Sequence, residues 1–212
     1  VKPSMTKQEF LLSLKFSDTK TPLALLPGSR RQEVERILPV MLEAAVLLNK
    51  KMGNLQFMIA KSPAVDWQVY NSKTSGVNLD LKIVEGKTYD CLSVANFSLV
   101  ASGTATLEAA IIKNPFAVVY KLGLFNYLFY LPQIKVPYIG MANIVAGKKI
   151  IPEFIQFRAA GDKIARAVQK LLENPAKLEQ IRKDLSLAIS SLGEKGAAQR
   201  AAKITLDFLK GS

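Results

Sequence analysis

Phe97-Ser98-Leu99-Val100-Ala101-Ser102-Gly103-Thr104-Ala105-Thr106-Leu107-Glu108-Ala109-Ala110 joins a short apolar run to a helical pattern through one small turn. The run Phe97 to Ala101 predicts a buried strand, and the residues beyond Gly103 predict a helix. Ser102 or Thr104 is placed to cap that helix, and Gly103 lets the backbone turn tightly and approach a ligand. The free N–H groups at the helix start, with the dipole behind them, suit a phosphate. Glu108 follows Thr104 by four residues, one turn along the same face, where a carboxylate is placed to accept hydrogen bonds from two ribose hydroxyls. The same residues also read as an ordinary capped helix with Glu108 in solvent, and both readings are open at this point.

On either side the chain alternates strand and helix signals. Thr21–Leu26, residues 55–60, residues 81–84 and Phe116–Tyr120 predict further strands. Thr6-Lys7-Gln8-Glu9 is a capping-box pattern, predicting a short helix to about Lys15. From Arg31 the apolar positions Val34, Ile37, Leu38, Met41, Leu42, Ala45 and Val46 follow helical spacing, with Gly53 as C-terminal cap. Pro39 inside that helix should bend or break it. Residues 63–73 predict a helix or turn, and Thr88–Val94 a short helix. After Pro152 the chain reads as helical to its end, over residues 164–172, 175–192 and 196–209. Strand and helix in alternation imply an α/β fold: a Rossmann-like parallel sheet with helices on both faces, followed by C-terminal helices. The expected division is a Rossmann-like unit over residues 1–158 and a helical segment over 159–212, packed on it or on a partner. In such sheets ligands sit at the carboxyl ends of strands, where both the 102–108 turn and a second turn, Pro27-Gly28-Ser29-Arg30-Arg31-Gln32-Glu33, fall.

That second turn carries two arginines at a helix start. Guanidinium groups fork onto phosphate oxygens, and cations there oppose the helix dipole unless an anion offsets them. The alternative is that they pair with Glu33 or Glu35. Neither a Walker loop nor a GxGxxG fingerprint is present. A third candidate segment holds Asn143, Glu153 and Gln156 among apolar residues, either hydrogen-bonding a sugar or satisfying nearby backbone.

Composition excludes several chemistries. The 212 residues contain no histidine and one cysteine, Cys91, which removes histidine-based triads, HExxH zinc sites and disulfide scaffolds. The net charge of +12 points to an anionic partner. The cations are spread along the chain rather than massed in a block, so nucleic acid is not expected. No run is long enough to span a bilayer. The opening Val1-Lys2-Pro3 suggests a piece of a longer protein. Residues 122–138, with Phe125, Tyr127, Phe129, Tyr130 and Tyr138 beside Lys121 and Lys135, read either as a core helix or as a membrane-interface surface.

Together these pieces resemble the lipid-A-disaccharide synthase family. Leu25-Leu26-Pro27-Gly28-Ser29-Arg30-Arg31 with Glu33, then Ser102-Gly103-Thr104-Ala105-Thr106-Leu107-Glu108, carry the first two motifs. Val136-Pro137-Tyr138, Asn143, Ala146-Gly147, Pro152-Glu153 and Gln156 carry the third. The resemblance runs over essentially the whole chain. It implies an inverting glycosyltransferase of GT-B architecture, joining UDP-2,3-diacylglucosamine to 2,3-diacylglucosamine 1-phosphate with release of UDP. The work would be done at the cytoplasmic face of the inner membrane of a Gram-negative-type bacterium. This chain would be the donor-binding C-terminal half. Gly28, Ser29 and Arg30, with Arg31 beside them, would approach the pyrophosphate; Ser102, Gly103, Thr104, Ala105 and Thr106 would wrap it. Glu108 would hold the ribose, and Asn143, Glu153 and Gln156 would face the donor sugar or complete the nucleotide pocket. No metal and no cofactor is implied. By the same resemblance the general base and the lipid acceptor site would lie in the absent N-terminal half; Asp80 and Asp90 are available here, but the resemblance nominates neither. The last helix would cross to that half, or pack on its own domain or on a second copy of the chain. Rival readings are half of another UDP-sugar enzyme (a peptidoglycan glycosyltransferase or an epimerase) and a non-enzymatic binder of anionic surfaces.

Overall fold

Side chains along the strand Thr21–Leu26 (β1) alternate between two cores, as the pleat requires: Leu23 and Leu25 enter one, Ala24 and Leu26 the other. A computed structural model describes residues 1–123, 137–193 and 196–210 and shows the same double burial along Leu55–Lys61 (β2) and Phe97–Ala101 (β4). Leu81–Glu85 (β3), Phe116–Tyr120 (β5) and Glu153–Ile155 (β6) complete a six-stranded sheet. The order is β3-β2-β1-β4-β5-β6, with every neighbouring pair parallel. Burial on both faces explains why these strands read as continuous apolar runs.

On one face Leu23, Leu25, Phe57, Ile59, Phe97, Leu99 and Val119 pack beneath α2 (Arg31–Met52), with Val69 and Tyr70 of α3 (Trp67–Thr74). On the other, Met58, Ala60, Val100, Phe116 and Val118 meet α1 (Lys7–Ser13), α4 (Thr88–Val94) and α5 (Thr104–Ile111). The helices α6 (Met141–Ala146), α7 (Gly161–Leu172) and α8 (Pro175–Ser190) follow. Ile164 and Val168 of α7 join the first core, while Ile181 and Leu185 of α8 join the second. A β-carbon at Gly161 would lie 2.7 Å from the β-carbon of Glu43, so the bare glycine lets α7 start against α2. The last helix, α9 (Ala197–Lys210), presents Ile204, Leu206 and Leu209 on the surface.

Three expectations are corrected. The chain is not helical from Pro152 onward, because β6 pairs beside β5, Val118 against Glu153. Three residues are too few to show a period. Helix α2 runs through Pro39 without a break. Val46 is 41% exposed rather than packed, because the buried stripe follows Val34, Ile37, Leu38, Met41, Ala45 and Leu48. The aromatic residues Phe125, Tyr127, Phe129 and Tyr130 lie outside the described residues. Among the described residues no helix is long and apolar enough to cross a membrane.

Candidate functional site

β1 is hydrogen-bonded to both β2 and β4, so the winding of the sheet reverses between β1 and β4. Adjacent carboxyl ends at such a reversal leave a crevice, the usual ligand position in open α/β sheets. Here a cavity of about 580 Å³ opens between the turn after β1 and the turn after β4. Its lining brings together Gly28, Ser29, Arg30 and Glu33 from one turn with Ser102, Gly103, Thr104, Ala105 and Glu108 from the other. Ser62 and Pro63 after β2, Thr88 at the start of α4, and Tyr120 at the end of β5 complete the walls.

Gly28 has φ +117°, in the region that favours glycine, and a β-carbon there would lie 2.6 Å from Glu33 Oε2. That carboxylate folds over the turn, accepting from Ser29 N–H at 3.0 Å and Arg30 N–H at 3.3 Å. Glu33 therefore organises the helix start. Arg30 lies 3.7 Å from Glu33 Oε1 with its side chain 84% exposed, free to reach a ligand. Gly28→Ala is expected to destabilise the chain by about 1–3 kcal/mol, from strain at positive φ together with displacement of Glu33. Urea unfolding measures this; an unchanged midpoint would mean that the turn relaxes without cost.

At the second turn Gly103 occupies the N-cap of α5 with no side-chain cap bond. Neither Ser102 nor Thr104 caps the helix: Ser102 Oγ donates to Ile139 O at 3.2 Å, holding the 139–141 loop instead. The N–H groups of Thr104 and Ala105, in the first turn, have no acceptor within the helix, and both residues line the cavity. Glu108 Oε1 accepts from Tyr89 Oη of α4 at 3.1 Å, and the carboxylate holds the Tyr89 phenol above its ordinary pKa. The described lining carries one cation, Arg30, against Glu33 and Glu108. The chain's +12 is thus not concentrated here. An anion in this cavity depends on directed N–H groups and one guanidinium.

Five expected residues do not line the cavity. Arg31 pairs with Glu35 at 2.8 Å, which holds its guanidinium above its ordinary pKa, and lies in a separate hollow beside Asp66 and Lys73. Thr106 is fully buried, donating to Gly103 O at 2.7 Å and accepting from Met141 N–H at 3.3 Å. Asn143 is also fully buried, its Oδ1 accepting from Ile150 and Ile151 N–H and its amide donating to Ile151 O and Glu153 Oε1. Glu153 further accepts from Ile139 N–H at 3.1 Å and Gly140 N–H at 3.0 Å. Gln156, at φ +50°, exchanges hydrogen bonds with both backbone groups of Leu122. Thr106, Asn143, Glu153 and Gln156 thus brace residues 139–141 and the chain just after β5. Asp80 pairs with Lys20, and Asp90 accepts from Ser4 and Met5, so both are engaged structurally.

Ser62, Pro63 and Thr88 were legible as candidates only from their position at strand ends. Buried Lys61 anchors the 62–63 corner, pairing with Glu85 and donating to Ser62 O at 3.2 Å, with its Nζ 5.1 Å from the Trp67 ring centre. The single thiol, Cys91, sits outside the cavity, and burial pushes it up to about 12.

Residues 2–208 match the lipid-A-disaccharide synthetase family. A lipid-A-disaccharide synthase of Syntrophus aciditrophicus is 38% identical over 217 residues, covering all of this chain and 56% of that protein. The chain thus spans about half the length of the curated relatives it matches. Among solved structures, WaaG, a glycosyltransferase involved in lipopolysaccharide biosynthesis, superposes with a TM-score of 0.63 at 12% identity, over 96% of this chain and 51% of that one. A co-structure of S. aureus MnaA with UDP also gives 0.63, at 14% identity, over 94% of this chain and 48% of that one. At such identities the superpositions establish a shared fold.

Proposed function

The chain belongs to the lipid-A-disaccharide synthetase family, and from that premise we propose that it is the donor-binding half of a glycosyltransferase that joins UDP-2,3-diacylglucosamine to 2,3-diacylglucosamine 1-phosphate. The observation that carries this reading is a convergence on one cavity. Thr104 and Ala105 with their unpaired N–H groups, Arg30 with its guanidinium and Glu108 with its carboxylate all line the hollow where the sheet reverses. Phosphates fit the first two groups, and a ribose fits the third.

In this reading the acceptor hydroxyl attacks the anomeric carbon while the bond to the UDP β-phosphate oxygen breaks. The charge that grows on that oxygen is met by the first N–H groups of α5 and by Arg30, preset dipoles and charge that need no reorganisation as the bond breaks. Arg30 exchanges part of its contact with Glu33 for the phosphate. The base that takes the acceptor proton and the lipid acceptor site belong to sequence outside this chain. In this reading residues 1–158 are the nucleotide-sugar unit and 159–212 a helical segment that packs on it or on the other half, to which the exposed Ile204, Leu206 and Leu209 of α9 are available. The setting is the cytoplasmic face of the inner membrane, held peripherally.

Calorimetric titration of the chain with UDP and ADP, at moderate and high salt, tests the reading. UDP is expected to bind in preference to ADP, with only modest loss at high salt. Equal binding of any polyanion, collapsing steeply with salt, would instead fit a non-specific anionic-surface binder.

A further inference from the structure

Glu108 is held by a residue nineteen positions away in the sequence and on a different helix: Tyr89 Oη donates to Oε1 at 3.1 Å. Both side chains are half-buried. Among the described residues Oε2 has no hydrogen-bond partner, although Glu108 lines the cavity. A carboxylate on a two-carbon stem has free rotation about its terminal bonds, and a charge-assisted O–H···O bond to one oxygen removes much of that freedom. The other oxygen is then presented to a ligand in a set direction. Thr88, the neighbour of Tyr89, is itself part of the cavity wall, so the start of α4 and the face of α5 meet at this point.

Resting on the donor-binding reading above, we propose that Tyr89 is a positioning residue that aims the Glu108 carboxylate at the vicinal hydroxyls of the nucleotide, making the site selective for ribonucleotides over 2′-deoxyribonucleotides. Tyr89 touches no ligand atom and acts only through Glu108. Its hydroxyl is a donor with a fixed origin on α4, whereas a water in its place would leave the carboxylate mobile. A phenol is protonated throughout the neutral range, and the Glu108 carboxylate holds this one further above its ordinary pKa, so the donor stays in place under working conditions.

The test titrates UDP and 2′-deoxy-UDP into the full chain, Tyr89→Phe, Glu108→Gln and the double variant, with urea unfolding showing that each is folded. The parent is expected to bind UDP about tenfold more tightly than 2′-deoxy-UDP, the size of one hydrogen bond to a charged group. In Tyr89→Phe, UDP should weaken roughly three- to tenfold and 2′-deoxy-UDP by less than about twofold, so that the ratio falls toward one. Glu108→Gln should flatten the ratio as well, and adding Tyr89→Phe to it should cost little more, because the tyrosine works through the carboxylate. Equal weakening of both nucleotides in Tyr89→Phe, or an unchanged ratio, would overturn the positioning role while leaving the donor-binding reading intact. A folded parent that binds neither nucleotide would overturn both.

Discussion

Glu108→Ala is expected to weaken UDP binding by tenfold or more, about 1.5–3 kcal/mol for hydrogen bonds to a charged group, reduced toward the lower end by the open cavity. The sign of the effect carries the information. A carboxylate in the same cavity as a diphosphate, but not touching the ligand, repels it; at about 10 Å in water that repulsion is roughly 0.4 kcal/mol for each unit of diphosphate charge. If Glu108 were such a spectator, its removal would tighten binding slightly. Loss of affinity therefore identifies direct contact, and the two outcomes lie on opposite sides of the parent. Inorganic pyrophosphate, which lacks the ribose, should bind the variant as tightly as the parent or slightly more tightly. Calorimetry with both ligands makes the distinction, and a variant that binds UDP as well as the parent does would remove the ribose from Glu108.

Asn143→Ala is expected to destabilise the fold by about 2–4 kcal/mol while changing UDP affinity far less than Glu108→Ala does. The side chain is fully buried and makes four hydrogen bonds, to Ile150 N–H, Ile151 N–H, Ile151 O and Glu153 Oε1. Truncation leaves two backbone donors and one carbonyl without their partner, and frees a Glu153 that otherwise ties Ile139 and Gly140. A leucine of similar bulk would not rescue the loss, because the deficit is in hydrogen bonds rather than volume. The urea midpoint should fall with an unchanged slope. A variant of parental stability that had lost UDP would return Asn143 to the role of a sugar-facing residue, which its polar character among apolar neighbours had suggested.

That contrast marks what the residues disclose. The strand Phe97–Ala101 and the helix after Gly103 were readable because burial on both faces removes alternation and a glycine interrupts two different periods. The alternation of strand and helix alone places both turns at the carboxyl end of the sheet. Within the turns, chemistry was less legible. Ser102 and Thr104 look like caps, yet Ser102 spends its hydroxyl on Ile139 O, a partner 37 residues away. Arg30 and Arg31 look alike, but Arg31 opens the helix and meets Glu35 one turn on, while Arg30 stays outside it. A polar residue among apolar ones reads the same whether it faces a ligand or satisfies buried backbone, and Asn143 and Gln156 do the latter. Tyr89 could not be found at all, since its value lies in a contact between two helices.

If the crevice at the reversal of the sheet holds a uridine diphosphate group between the two turns, a crystal structure of the chain with UDP will show it there. The diphosphate is expected on the N–H groups of Thr104 and Ala105 within reach of Arg30, with the ribose hydroxyls on Glu108. UDP seated elsewhere on the chain, or a crevice that stays empty in a lattice leaving it open to saturating UDP, would contradict it.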